Sequence, residues 1–191
     1  MHSGSFSRLL VAGVVSECAL LVAALAIGPL LGLSLFARLQ VNAAALAYGL
    51  AATLPMLLVL WWCLRTSWAP MRRLVSLAEA HLRPHLTGAS TGGIVLLSFM
   101  AGIGEESLFR GVIQAALADR LPGWIAVVIG ACLFGAAHWL TLSYALLAGL
   151  IGVYLGVVFL LTENLLIPIT AHALYDVVAL SVLARSPRRQ G

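Results

Sequence analysis

The chain contains no lysine and few charges of any kind, since only 9% of its 191 residues are charged. Hydrophobic residues make up 62% of the sequence, which is well above the share found in soluble globular proteins. This composition excludes a soluble domain and predicts a polytopic membrane protein within a lipid bilayer. The net charge of +4 comes from arginines that lie mostly between apolar runs, so we expect it to set topology and expect no nucleic-acid partner.

Cysteine and the common hydrolase motifs are also scarce or missing. The three cysteines, Cys18, Cys63 and Cys132, each lie in an apolar run without metal-ligand spacing, and we interpret them as small hydrophobic residues. The sequence lacks the H-E-x-x-H motif of zinc proteases and the G-x-S-x-G motif of serine hydrolases. For a hydrolase, these absences leave water activated by a carboxylate, either directly or on a metal.

Apolar runs define the organisation of the chain, which we expect to be a single all-α membrane domain over residues 1–191. About six runs are long enough to cross a bilayer. Residues 9–64 hold the first two, and residues 94–184 hold the remainder. The first run extends to Phe36, and the fourth covers residues 124–140. A basic tail follows at residues 185–191.

Residues 65–93 are the longest polar connection. Its apolar side chains recur at helical spacing and face away from several arginines, so we predict an amphipathic helix lying on the membrane surface. The apolar stripe consists of Met71, Leu74, Val75, Ala78 and Leu82. Eight of the ten arginines outside the membrane fall on the side that holds this connection and both termini. We therefore expect a bacterial plasma-membrane protein with both termini in the cytoplasm.

Charged residues within the third run are the strongest functional signal, because a charge near the centre of a spanning helix costs roughly 2.5–3.5 kcal/mol on insertion scales. Glu106 and Arg110 are four residues apart and can pair on one helix face. Glu105 lies about 100° away around the helix and lacks an obvious local partner. The pattern fits either a bracing pair beside a free carboxylate base, or a buried ion network that only locks helices together. Glu17, in the first run, receives little weight.

Two histidines lie in later runs at similar spacing. His138 follows Phe134 by four residues, and His172 precedes Asp176 by four. If these groups and Glu105 face one another, they can provide a general base, metal ligands or oxyanion donors.

The three spaced pairs together resemble the motifs of a known family. Glu105-Glu106-x-x-x-Arg110, Phe134-x-x-x-His138 and His172-x-x-x-Asp176 are similar, in order, to the motifs of the CPBP intramembrane proteases, which include CAAX prenyl endopeptidases and bacteriocin-processing or self-immunity proteins. The resemblance covers residues 94–180. It implies an all-helical membrane fold whose site opens toward the cytoplasm, and an endopeptidase acting on a membrane-anchored peptide or protein.

The resemblance also implies residue roles. Glu105 would activate water with help from His138, while His172 and Asp176 complete the catalytic set. Glu106, Arg110 and Phe134 would support it. Zinc is the candidate metal, with Glu105, His138 and His172 as its ligands. The family often has asparagine at the last position. An ionised aspartate cannot donate a hydrogen bond, which favours Asp176 as a metal ligand or an orienter of histidine over an oxyanion donor.

Two other functions remain open on sequence alone. A non-catalytic membrane scaffold or immunity protein would keep the polar network for stability and bind a partner protein. A small proton-coupled transporter also uses buried acids and histidines, although the motif-bearing half shows no internal repeat. The sequence defines neither the substrate nor the oligomeric state.

Overall fold

The computed structural model describes residues 3–86 and 88–185, which form seven helices and no β-strand. The helices are α1 Ser3–Leu30, α2 Ala43–Arg65, α3 Ala69–Leu86, α4 Thr91–Ala118, α5 Gly123–Ala137, α6 Leu142–Thr162 and α7 Leu166–Arg185. This architecture confirms the predicted all-α membrane bundle. Of the predicted basic tail, only Arg185 is described, as the last residue of α7; residues 186–191 lie outside the described residues.

Five helices, namely α1, α2, α4, α6 and α7, are long and apolar enough to cross a membrane. The sixth apolar helix, α5, has only 15 residues. At 1.5 Å per residue it is about 22 Å long, which is less than a hydrocarbon core of about 30 Å. A helix of this length that begins at one membrane surface ends within the bilayer. The residue that follows it, His138, is therefore not confined to the opposite surface.

The first helix ends earlier than its apolar run predicts. The run continues to Phe36, but α1 ends at Leu30 with Pro29 in its last turn. Gly32 follows with a φ of +74°, a left-handed conformation that stops a helix and that glycine adopts without strain. The rest of the run folds against the bundle, because Leu33 and Leu35 are buried.

Side-chain caps and an asparagine bridge fix the connections between helices. Asn42 and Thr141 cap the amino ends of α2 and α6 by accepting hydrogen bonds from backbone N–H groups at 2.8 and 3.2 Å. Asn164, between α6 and α7, accepts from the backbone N–H of Gln40 and donates to the carbonyl of the same residue. The connection between α1 and α2 is thus held against the connection between α6 and α7.

The predicted amphipathic helix is α3. Leu74 and Leu86 are buried, whereas Arg72 and Arg73 are exposed on the opposite face. The helix packs against α1, α2 and α7, so its apolar side faces the bundle. Its position at a membrane surface stays a prediction.

Candidate functional site

The acidic motif lies on α4 where the winding of the helix changes. Thr91–Glu106 is α-helical, and Ser107–Gln114 is a wider π-helical segment. The sequence spacing predicts α-helix throughout. Segments of π-helix inside α-helices are frequent at functional sites. Glu105 and Glu106 end the α-helical part, and Arg110 lies in the π-helical part.

Two glycines just before the motif let neighbouring helices approach α4 closely. A Cβ added at Gly102 would lie 2.9 Å from the carbonyl oxygen of Ile169 on α7. One added at Gly104 would lie 2.6 Å from the carbonyl oxygen of Glu17 on α1. Both contacts involve backbone atoms that cannot easily move aside. These glycines therefore place α1 and α7 directly beside Glu105 and Glu106.

Glu106 is the centre of a buried ionic network. Its Oε1 accepts a hydrogen bond from Arg110 at 2.8 Å, which confirms the predicted pair, and it also lies 2.8 Å from Nδ1 of His172. Glu106 is fully buried, and Arg110 is 2% exposed. The guanidinium carbon of Arg110 lies 4.5 Å from the ring centroid of Phe134. Residues of α4, α5 and α7 thus share one network.

The network extends to α6 through backbone carbonyl groups. Arg110 donates to the carbonyl oxygen of Gly152 at 3.0 Å, and Gln114 donates to that of Gly156 at 2.9 Å. Both pairs are spaced by four residues, so two polar side chains of α4 match two carbonyls one turn apart on α6. The sequence reasoning missed Gln114. Its signal in the sequence was an amide side chain in an apolar run, four residues after Arg110.

Glu105 faces His138. The Oε2 atom of Glu105 is 3.5 Å from Nε2 of His138, which is longer than an ordinary direct hydrogen bond. The Nδ1 atom of His138 lies 2.8 Å from the carbonyl oxygen of Phe134, one turn earlier. The ring of Phe134 lies 4.4 Å from that of His138, centroid to centroid. Backbone and ring contacts therefore hold the imidazole with Nε2 toward Glu105.

His172 is oriented chiefly by Glu106. The predicted neighbour on its own helix, Asp176, has its Oδ2 atom 3.6 Å from Nε2 of His172, which is beyond hydrogen-bond distance. The ring of Phe134 also packs edge-on against His172, with centroids 6.0 Å apart. The carboxylate that fixes the ring through Nδ1 is therefore Glu106, while Asp176 lies beside the other ring nitrogen.

The structure brings the four predicted catalytic residues into one region. Glu105 contacts His138, Phe134 packs against both histidines, and Asp176 lies beside His172. The side chains come from α4, from the end of α5 and from α7. The short length of α5 explains how His138 reaches a glutamate in the middle of α4.

Several carboxylate oxygens in this region have no hydrogen-bond partner. Among the described residues, the buried side-chain atoms without one are Glu17 Oε2, Ser98 Oγ, Glu105 Oε2 and Glu106 Oε2. Buried polar atoms in proteins are nearly always satisfied, so such exceptions require an explanation. Glu105 Oε2 is the atom that faces His138.

Glu17 is an additional carboxyl group at this site. Its Oε2 lies 3.0 Å from the position of a Cβ added at Gly104. Glu17 therefore lies beside the turn of α4 that carries Glu105. The signal in the sequence was an acid inside a spanning run, to which we gave little weight.

The described side chains do not form an evident metal site. No group of three or more His, Cys, Asp or Glu residues within residues 3–86 and 88–185 is placed to hold a metal ion. The Nδ1 atoms of both histidines are already engaged, by Phe134 and by Glu106. Because Nε2 of each histidine remains open, this engagement is compatible with zinc ligation, and zinc binding by Glu105, His138 and His172 stays a prediction.

Comparison with known proteins identifies the segment that holds this site. Residues 87–178 match the family described as type II CAAX prenyl endopeptidase, Rce1-like. These residues are an Rce1-like domain. The segment includes all three motifs and nearly coincides with residues 94–180, over which the CPBP resemblance was seen.

A curated relative from Bacillus subtilis (strain 168), the uncharacterized protein YpbD, is 36% identical over 88 residues. The alignment covers 44% of this chain and 42% of the relative, so the chain spans less than half the length of that protein. No solved structure matches the chain. The Rce1-like domain and the apolar helices support an integral, multi-pass membrane protein.

Proposed function

We propose that this chain is an intramembrane endopeptidase that hydrolyses a peptide bond with water activated by Glu105. The observation that carries the proposal is the buried Oε2 of Glu105, which has no hydrogen-bond partner and lies 3.5 Å from Nε2 of His138. The Rce1-like domain supports the same reaction class. A general base must be within hydrogen-bond reach of the water that it deprotonates.

Glu105 and His138 would address the same water. In the neutral imidazole, a hydrogen on Nδ1 that is donated to the carbonyl of Phe134 leaves Nε2 as an acceptor. A water between Nε2 and the carboxylate can donate one hydrogen bond to each. Glu105 takes a proton as the water oxygen attacks the carbonyl carbon, and it later passes that proton to the nitrogen of the leaving amine. The peptide C–N bond then breaks.

His172 would stabilise the negative charge that develops on the attacked carbonyl oxygen. Its Nδ1 donates to Glu106, so Nε2 of the imidazolium form can donate to the oxyanion. Asp176, 3.6 Å from that nitrogen, favours the positively charged ring but cannot itself donate when ionised. Glu106 and Arg110 hold the ring in place and are positioning residues. No step in this scheme passes through a metal.

The proposed substrate is a membrane-anchored peptide or protein. Two of the helices that carry the site, α4 and α7, are long enough to span a bilayer, so the scissile bond must approach at the membrane. The description of the family names prenylated substrates. The proposal for this chain extends only to a membrane-associated polypeptide.

Cleavage of a lipid-anchored peptide library by purified protein tests the proposal. We expect Glu105→Gln, His138→Ala and His172→Ala each to lower turnover by about 10²–10⁴-fold while the protein stays folded. Combined variants should lose little more, because residues that act as a unit fail together. Glu163→Gln, at an exposed glutamate after α6, is the matched control and should cleave like wild type.

Each assay is run with and without a chelator. Loss of activity on chelation and its rescue by zinc would select the zinc version, and indifference would select direct activation by Glu105. If the three variants fold and cleave as well as wild type, the protease proposal is wrong. The fully buried network around Glu106 would then be explained by the scaffold alternative, in which it only stabilises the bundle.

A further inference from the structure

A cavity of about 180 Å³ lies between α2, α3, α6 and α7, outside the contacts described so far. One wall is the whole apolar stripe of α3. That wall consists of Met71, Leu74, Val75, Ala78 and Leu82. The stripe that the sequence suggested would rest on lipid therefore lines a half-open pocket.

The cavity adjoins the proposed active site at Asp176. This residue lines the cavity, and its carboxylate lies 3.6 Å from Nε2 of His172. Tyr144 and Tyr175 line the wall as well. Apolar walls with a few polar groups are typical of sites that fix the orientation of a ligand. A substrate whose carbonyl oxygen meets His172 would have a neighbouring side chain within reach of this space.

The volume restricts the occupant. An engineered cavity of about 150 Å³ lined by apolar side chains binds benzene. Pockets that enclose a whole drug-sized ligand are larger, about 300–1,000 Å³. A cavity of about 180 Å³ is therefore of the size of one large apolar side chain.

We infer that this cavity is a specificity pocket that binds one leucine, methionine or phenylalanine side chain of the substrate next to the scissile bond. The inference rests on the proposed endopeptidase function and names the substrate feature that this function would select. The amphipathic helix α3 forms the outer wall of the pocket and so contributes to selectivity without touching the catalytic residues.

The first test changes the size of the pocket from α3. Ala78 lines the cavity, whereas its neighbour Leu77 is exposed on the other face. Wild type should cleave a position-scanned library with about tenfold or greater preference for a large apolar residue over alanine at one position. Ala78→Phe should shift that preference toward alanine. Leu77→Phe, the matched control, should keep the wild-type preference.

The second test requires neither catalytic turnover nor the folding of Ala78→Phe, the variant that fills the pocket. Cys63 lines the cavity and is buried, while Cys18 and Cys132 are exposed elsewhere. In protein carrying Cys18→Ser, Cys132→Ser and Glu105→Gln, methyl methanethiosulfonate modifies Cys63 alone. Peptide pools with phenylalanine fixed at the position that wild type selects should slow this modification, and the effect should saturate as peptide concentration rises. Pools with alanine fixed there should not slow it. If the cleavage assay identifies no position, phenylalanine is fixed at each position in turn.

The outcomes separate this inference from the proposed function. If wild type cleaves, but Ala78→Phe and Leu77→Phe have the same selectivity and neither pool protects Cys63, the pocket is refuted and the protease stands. If nothing is cleaved, Cys63 protection still decides whether the cavity binds the side chain. Protection that follows the acyl chains of added phospholipid, with no difference between the pools, would assign the cavity to lipid and overturn the inference.

Discussion

Replacing Glu106 by glutamine tests whether the ionic network carries the stability of the bundle. The substitution keeps the shape of the side chain, so it leaves no cavity. It removes the charge that is hydrogen-bonded to Arg110 at 2.8 Å, on an arginine that is only 2% exposed. The guanidinium then remains buried with the carbonyl oxygen of Gly152 and the ring of Phe134 as its neutral partners.

Loss of one partner of a buried ion pair costs about 3–5 kcal/mol, because the remaining charge is uncompensated. For a chain of this length, 1 kcal/mol shifts the melting temperature by about 2–4 °C. Glu106→Gln should therefore melt about 6–20 °C below wild type. Glu105→Gln is the matched control at the adjacent residue. Removing the charge of a buried carboxylate without a hydrogen-bond partner should be neutral or stabilising.

Thermal unfolding in detergent micelles, followed by tryptophan fluorescence, gives the comparison. A double variant adds a sharper criterion: Arg110→Met combined with Glu106→Gln removes the orphaned cation as well. It should be more stable than Glu106→Gln alone, since Arg110 no longer leaves a buried positive charge without its carboxylate partner. Two results would refute the division of roles between the two glutamates. One is equal destabilisation by Glu105→Gln and Glu106→Gln. The other is a double variant that loses as much stability as Arg110→Met and Glu106→Gln lose in sum.

Two further predictions concern packing and orientation. A Cβ at Gly135 would lie 2.6 Å from the carbonyl oxygen of Ala145, so Gly135→Ala should separate α5 from α6 and cost about 1–3 kcal/mol in unfolding experiments. Gly149→Ala, where the nearest atom is 3.6 Å away, should be close to neutral; if both variants behave alike, the close approach is unimportant. In cysteine-free protein, Arg120→Cys should react with an impermeant maleimide on intact cells and Arg73→Cys should not, and the reverse pattern would invert the topology.

The sequence predicted the helices and the motif residues because membrane burial limits the possibilities so strongly. Charges persist in an apolar run only when they are paired or functional, and a spacing of four places two side chains on one helix face. Glu106 and Arg110 therefore paired as predicted. The same reasoning identified His138 and His172 as candidate functional residues.

Contacts between helices could not be read from that spacing. The hydrogen bond between Glu106 and His172 joins residues 66 positions apart, so the local spacing of His172 and Asp176 could not reveal it. Nothing in the local pattern shows that α5 is too short to cross the bilayer, or that the carbonyl of Gly152 faces Arg110. These features depend on how the helices are arranged around α4.

The hydrogen bonds of Glu105 and Glu106 distinguish a structural role from a catalytic one more clearly than their depth in the bundle does. Glu106 makes two hydrogen bonds of 2.8 Å through Oε1, so its position is fixed and its charge is balanced even though its Oε2 has no partner. Glu105 is its direct neighbour and nearly as buried, yet its inward oxygen has no such partner. A membrane bundle under selection for stability alone gains nothing from that unsatisfied group, because an unpartnered polar atom in an apolar interior is costly. The cost becomes intelligible when the group is reserved for water and substrate, and this argument favours the enzyme over the scaffold.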